Sequence, residues 1–327
     1  MRLVSFGVRT GAGPTVRAGV EIGEHVVDIA HAVALVTGQT LAPDLLSLVR
    51  AGEPALDLAR EGTERAFRNG DEFLRGERVI NDRAHVQLVA PLPRPNSLRD
   101  FMVVEEHVAG AVGPQGIPQD WYHVPAHYKG NVDEIYGPDD IVPWPAYTDA
   151  LDYELEICAV IGTGGRRIRA EDAGRHILGY TLYNDWSARD LQRREVGLYC
   201  GPGISKDFAS SIGPAIVTPD EFDRPSAQLE ARIDGEVWSS GSTLASMHFS
   251  FEQLIEWTSQ EQTLHPGDLL GSGTVGRGCG LELDRWIKPG CVVELEAEGI
   301  GVLRNPVGLK GAGPRRAFPG TTKGASR

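Results

Sequence analysis

From Leu3 to Val8, and again over Val16–Val20 and Val26–Ile29, apolar and polar residues alternate, the period-two pattern of short antiparallel strands, with Gly11 to Gly13 as the first turn. From Asp44 to Phe73 the spacing becomes helical. Leu45, Leu46 and Val49 are followed by Leu56, Leu58 and Ala59, then by Ala66, Phe67 and Phe73, so two helices are expected. The strip Leu88 to Asn96 holds Pro91, Pro93 and Pro95, which can continue neither a helix nor a central strand. A boundary is placed there, making residues 1–90 a small N-terminal α+β domain.

Beyond the strip, strand-like runs dominate: Leu155–Ile161, Ile177–Tyr183, Ala215–Thr218, Leu229–Ile233, Val292–Leu295 and Gly301–Leu303. Helices are expected only around Ser187–Glu195 and Ser250–Ser259. Residues 91–307 therefore form a β-rich second domain, and the chain as a whole is α+β and strand-rich. The Gly-rich segment 271–280 lacks the Lys-Ser/Thr ending of a P-loop and has no βαβ setting, which argues against nucleotide binding.

Charge narrows the partners. With 32 Lys and Arg against 45 Asp and Glu the net charge is −13, which argues against nucleic acid and anionic membranes and suits a small molecule or a metal. Residues 308–327 run against this trend, with Lys310, Arg315, Arg316, Lys323 and Arg327 set among Gly, Pro and Thr, and are expected to be a mobile basic tail. No apolar run approaches a membrane span or a signal h-region. The four cysteines are scattered singly, which suggests neither a zinc knuckle nor a redox pair, and a reducing cytoplasm is the expected location.

Three segments carry candidate chemistry. In Leu151-Asp-Tyr-Glu-Leu-Glu-Ile-Cys-Ala-Val-Ile161, Glu154 and Glu156 are two apart and project together from a strand, either as cation ligands or as solvated groups of an edge strand. Asp185, in Tyr183-Asn-Asp-Trp-Ser-Ala-Arg-Asp-Leu-Gln192, ends a buried strand, where it reaches into a cleft or merely precedes a helix capped by Ser187. Asp100 and His107, in Ser97-Leu-Arg-Asp-Phe-Met-Val-Val-Glu-Glu-His107, share one side if the segment is helical. His107 taken alone reads first as a hydrogen-bonded surface histidine.

These strings, in this order and followed by Gly-Pro-Gly-Ile-Ser-Lys206-Asp-Phe and by Gly273-Thr-Val and Leu-Glu282-Leu, resemble the fumarylacetoacetate hydrolase family over roughly residues 90 to 306. The resemblance implies a mixed β-roll catalytic domain like the fumarylacetoacetase C-terminal domain, and a homodimer. It implies that Asp100, Glu154, Glu156 and Asp185 hold a divalent cation, Mg²⁺ or Mn²⁺ by preference with Ca²⁺ as the alternative. It makes His107, Glu282 and Lys206 catalytic and gives substrate contacts to Arg189, Gln192, Tyr128 and Thr274.

Asp at position 100 with a His seven residues on resembles the branch that hydrolyses carbon-carbon bonds. The implied reaction is cleavage of a 1,3-dicarbonyl or acylpyruvate-type acid by water that His107 and Glu282 activate. Met102 and Val196 stand where fumarylacetoacetate hydrolases carry tyrosines, which favours a more apolar acyl group. The rival readings are a 2-oxo acid decarboxylase or a 2-hydroxy-dienoate isomerase or hydratase of the same family, and a non-catalytic Ca²⁺-binding protein.

Overall fold

The structure, a computed structural model, describes residues 1–10, 13–112, 116–199, 201–242 and 244–311. Gly11 and nearly all of the basic tail, from residue 312 on, lie outside the described residues.

Ten strands define the path of the main sheet: β1 (Arg2–Thr10), β2 (Gly13–Ile22), β3 (His25–Asp28), β4 (Ile80–Asp82), β5 (Ser97–Phe101), β6 (His127–Lys129), β7 (Leu155–Ile161), β8 (Ile177–Asn184), β9 (Ser210–Val217) and β10 (Asp268–Gly271). Their order in space is β4-β3-β2-β1-β9-β8-β7-β10-β5-β6. Neighbours along this path are antiparallel except β10 and β5, which run parallel with Gly271 opposite Asp100. Strand β1 pairs with β9, Leu3 opposite Ile216, so sheet hydrogen bonding crosses the boundary that the prolines suggested near residue 90.

A second sheet of five strands runs in the order Val142–Trp144, Gly301–Lys310, Val292–Ala297, Leu229–Ile233, Glu236–Ser242. Its long strand continues to Lys310, past the 307 at which the sequence reading ended the domain.

Strand β7 shows how the layers are built. Leu155, Ile157, Ala159 and Ile161 face a core shared with Leu229, Val293, Leu295 and Leu303 of the second sheet. Cys158 and Val160, on the opposite face, join a core with Leu45, Leu48, Leu56 and Ala59. Burial on both faces explains why this segment is an unbroken apolar run from Ile157 onward, since neither face needs polar residues.

The helices covering that second face are α1 (Ile29–Thr37), α2 (Leu45–Arg50) and α3 (Glu53–Asn69). The sequence reading anticipated α2 and α3 but not α1, because the run Val26–Ile29 ends β3 and starts the helix without a break. The boundary signal is Asp28, whose side chain accepts the His31 N–H at 2.9 Å as an N-cap. Later come α4 (Glu105–Val112), α5 (Arg189–Val196), α6 (Phe251–Ser259) and α7 (Gly280–Leu283). Helix α6, expected around Ser250–Ser259, starts at a reciprocal capping box between Ser250 and Gln253. Among the described residues no helix is long and apolar enough to cross a membrane.

Candidate active site

The site lies at the adjoining ends of β5, β7, β8 and β10. Asp100 stands on β5, Glu156 is the second residue of β7, opposite Tyr183, and Asp185 directly follows β8. Carboxylate oxygens of these three buried residues all lie within 4.8 Å of one another. Gly271 lets them converge, since a Cβ there would sit 2.4 Å from Asp100 Oδ1 and 3.2 Å from the Tyr183 ring. Asp100 and His107, which would face one side if their segment were helical, do not share a helix. The strand runs to Phe101, Met102 and Val103 follow outside any helix, and His107 belongs to α4.

Three buried carboxyls this close cannot all hold full charge without a cation. Burial, then the nearby Asp185, pushes Asp100 well above the ordinary carboxylate range. Burial and Asp100 do the same to Glu156, whose Oε2 is buried without a hydrogen-bond partner. Glu156 Oε1 accepts from Thr274 Oγ1 at 3.3 Å, and Asp100 Oδ1 accepts the Gly273 N–H at 3.3 Å. Tyr128, on β6, donates to Asp185 and lies 2.6 Å from both of its oxygens. An all-oxygen donor set with an orphaned buried oxygen fits a hard divalent cation of the Mg²⁺, Mn²⁺ or Ca²⁺ kind.

Glu154 and Glu156 are both buried, and β7 is an interior strand, so the solvated-edge alternative does not hold. The two side chains serve different neighbours. The Glu154 carboxylate accepts from Lys206 Nζ on one oxygen and lies 2.9 Å from Arg189 Nη2 on the other. Burial opposes its charge, but Lys206 and Arg189 outweigh burial and hold it below the usual carboxylate range. Lys206 also donates to Asp185 at 2.5 Å, and although burial disfavours its charge, Asp185 and Glu154 hold it as an ammonium. Arg189 Nη1 donates to Gln192 Oε1 at 3.0 Å, one turn along α5.

Beside this cluster lies the His107–Glu282 pair, Nδ1 to Oε2 at 3.0 Å across 175 residues of sequence. His107 is 7% exposed, which removes the surface-histidine alternative. Glu282 also accepts the Arg277 N–H at 3.1 Å and the Cys279 thiol at 3.3 Å. Burial opposes its charge, yet the bond from His107 keeps the carboxyl below its ordinary value. Cysteine 279 thus joins His107 and Glu282 in a second group whose ligand atoms lie within 4.8 Å. The scattered cysteines gave no hint of that Cys–His proximity, which arises because Cys279 and His107 share Glu282 Oε2 as a partner.

Ser187 does not cap α5. The N-cap is Ala188, and the Ser187 hydroxyl turns back to the Asp185 carbonyl at 3.0 Å. Met102 and Val196 are 40% and 53% exposed. Asp152 is the residue whose role the sequence reading missed, although it stands in the quoted Leu151-Asp-Tyr-Glu string. It is fully buried and accepts Arg189 Nε–H at 2.9 Å.

Comparison with known proteins places this geometry. The family described as Fumarylacetoacetate (FAA) hydrolase C-terminal matches residues 100–308, a span that holds every one of these carboxylates, and the chain belongs to the fumarylacetoacetate hydrolase family. Oxaloacetate tautomerase YisK of Bacillus subtilis (strain 168) is 31% identical over 273 residues, which cover 83% of this chain and 88% of that protein. The human mitochondrial oxaloacetate tautomerase FAHD2A is 31% identical over 309 residues, 94% of this chain and 91% of that one. The crystal structure of maleylpyruvate hydrolase from Sphingobium sp. SYK-6, in complex with manganese(II) and pyruvate, shares the fold at a TM-score of 0.70 and 22% identity, covering 95% of this chain and all of that one.

Proposed function

We propose that this protein is a metal-dependent isomerase of small 2-oxo acids that interconverts an enol with its keto form. This reading replaces carbon-carbon hydrolysis as the first choice, because the relatives reported above are named oxaloacetate tautomerases. The observation that carries it is the placing of Lys206, paired with Glu154, and of the His107–Glu282 pair, near enough for His107 to favour the charge of Glu154, at the edge of a cation site.

Asp100, Glu156 and Asp185, with Glu154 as the fourth carboxylate, would hold the cation, with Mg²⁺ or Mn²⁺ preferred. When bound, the cation supplies Lewis acidity that stabilises negative charge on the oxygen of a 2-oxo acid. Lys206 reinforces that effect as a fixed ammonium, able to donate a hydrogen bond to the developing enolate. Because Glu282 engages His107 Nδ1, Nε2 is the nitrogen free to exchange a proton with the substrate carbon. In the enol-to-keto direction the enol O–H proton leaves to water, His107 delivers a proton from Nε2 to C3, and water reprotonates His107. Composition is unchanged and no carbon-carbon bond breaks.

Hydrolysis is kept as the second reading because the same Nε2 could instead take a proton from water, and Asp100 matches the hydrolytic pattern. Both are tested by following enol absorbance of 2-hydroxybutenedioate and of several acylpyruvates, with Mg²⁺, Mn²⁺ or chelator, and identifying the products. Metal-dependent ketonisation of the first without fragments is expected. Two fragments from the acylpyruvates, with no acceleration of ketonisation, would reverse the choice.

A further inference from the structure

Asp152 touches neither the carboxylate cluster's open oxygens nor the His107–Glu282 pair, yet it is bonded to both sides of the site. Its Oδ2 accepts Arg189 Nε–H at 2.9 Å and the Leu281 N–H at 3.0 Å. Its Oδ1 accepts the Gly280 N–H at 2.8 Å and its neighbour Tyr153 N–H at 3.0 Å. Arg189 in turn lies against Glu154, and Gly280 and Leu281 open the short helix α7 that presents Glu282. Asp152, Arg189, Glu154 and Gly280 are all buried.

Four N–H groups converge on two oxygens, so this position has room for acceptors only. Burial raises the proton affinity of Asp152, while Arg189 opposes that rise. An isolated buried carboxylate is costly, and the site tolerates one here because each oxygen is doubly bonded by donors.

We infer that Asp152 is a positioning residue for the proposed reaction. It fixes α7, and through it the Glu282 carboxylate that orients His107, while tying this helix to the Arg189 that steadies Glu154. The inference rests on the isomerase reading only for its kinetic arm. Its spectroscopic arm concerns the His107–Glu282 hydrogen bond, which exists whatever the substrate.

Asp152→Asn tests it. The side chain keeps its volume, but either amide orientation turns an NH₂ donor toward existing donors. The proton shared between His107 Nδ1 and Glu282, seen as a far-downfield resonance in the wild type, should disappear or broaden. Mn²⁺ binding should stay within about threefold, because Asp152 is not among the proposed ligands.

In turnover, kcat should fall by about 10- to 100-fold with KM within about threefold, as expected when a group acts on the transition state rather than on binding. The decisive comparison is a cycle with Glu282→Gln. If Asp152 acts through Glu282, the double variant should be no more than about threefold slower than Glu282→Gln alone. Independent, multiplying losses, or an unshifted downfield proton, would overturn the inference. Should Asp152→Asn lack cooperative melting, Asp152→Ser, smaller and still an acceptor, goes through the same cycle with the same criteria. Absence of turnover in the wild type with loss of the downfield proton in Asp152→Asn would refute the isomerase reading and leave the positioning role standing.

Discussion

The Tyr128 hydroxyl sits 2.6 Å from both oxygens of Asp185, 57 residues away in sequence, while Lys206 bonds one of the same oxygens. Asp185 is therefore oriented by two donors from different elements before any cation arrives. A hydrogen bond to a charged group contributes about 1.5–3 kcal/mol. Tyr128→Phe should weaken Mn²⁺ binding by about tenfold, read by electron paramagnetic resonance titration, and an unchanged Kd would show that its hydrogen bond to Asp185 does not support cation binding.

Removing charge from the carboxylate cluster should separate stability from metal binding. Asp100 and Glu156 repel each other in a buried site, so Asp100→Asn should relieve repulsion in the metal-free protein while deleting a ligand. The metal-free melting temperature should rise by about 2–4 °C for each kcal/mol relieved. The further rise that saturating Mn²⁺ gives the wild type should vanish. Calorimetric scans with and without Mn²⁺ check both halves.

The pH dependence of the metal-free protein follows from the same groups. Asp100 and Glu156 bind protons more tightly folded than unfolded, so their protonation stabilises the fold. That contribution is complete below the unfolded carboxylate pKa of about 4 and is lost as pH rises through the higher folded values. Melting temperature in chelator should decline as pH rises above the unfolded carboxylate value. Saturating Mn²⁺ should abolish the decline, because the cation replaces those protons. Titration calorimetry in buffers of different ionisation enthalpy should detect proton release on cation binding, and less of it as pH rises.

Lys206→Gln distinguishes a catalytic ammonium from a structural counter-ion. Lys206 shares Glu154 and Asp185 with the proposed cation, so its removal should leave Mn²⁺ affinity equal or tighter. Turnover should drop by about 10²-fold or more if the ammonium stabilises developing negative charge. Equal turnover with weaker metal binding would assign it to structure alone.

Much of the carboxylate cluster was legible because its members stand in short strings whose local structure positions them. Glu156 lies in an apolar run, and Asp185 follows one. Longer-range features were hidden. The spacing of Asp100 and His107 suggested a helix, but β-branched Val103 and Val104 fit the extended link between strand and helix better than a helical turn. Cys279 meets His107 through their shared partner Glu282, 175 residues from His107 in sequence, and no spacing rule encodes such a contact. Asp152 was invisible as a functional residue because all but one of its partners are distant in sequence, three of them backbone or side-chain N–H groups of residues 189, 280 and 281.

The pairing of β1 with β9 has a consequence for any attempt to cut the chain at the proline strip. A fragment beginning at residue 91 would leave the Ile216–Val217 end of β9 as a raw sheet edge, while Ser210 and Ser211 keep their pairing with Ile135 and Tyr136, and would uncover Cys158, Val160, Ile212 and Ile216. Such an edge is a template for pairing with other chains. The fragment should aggregate rather than persist as a smaller working enzyme, and the first 90 residues are therefore as much a guard against misassembly as a support for the site.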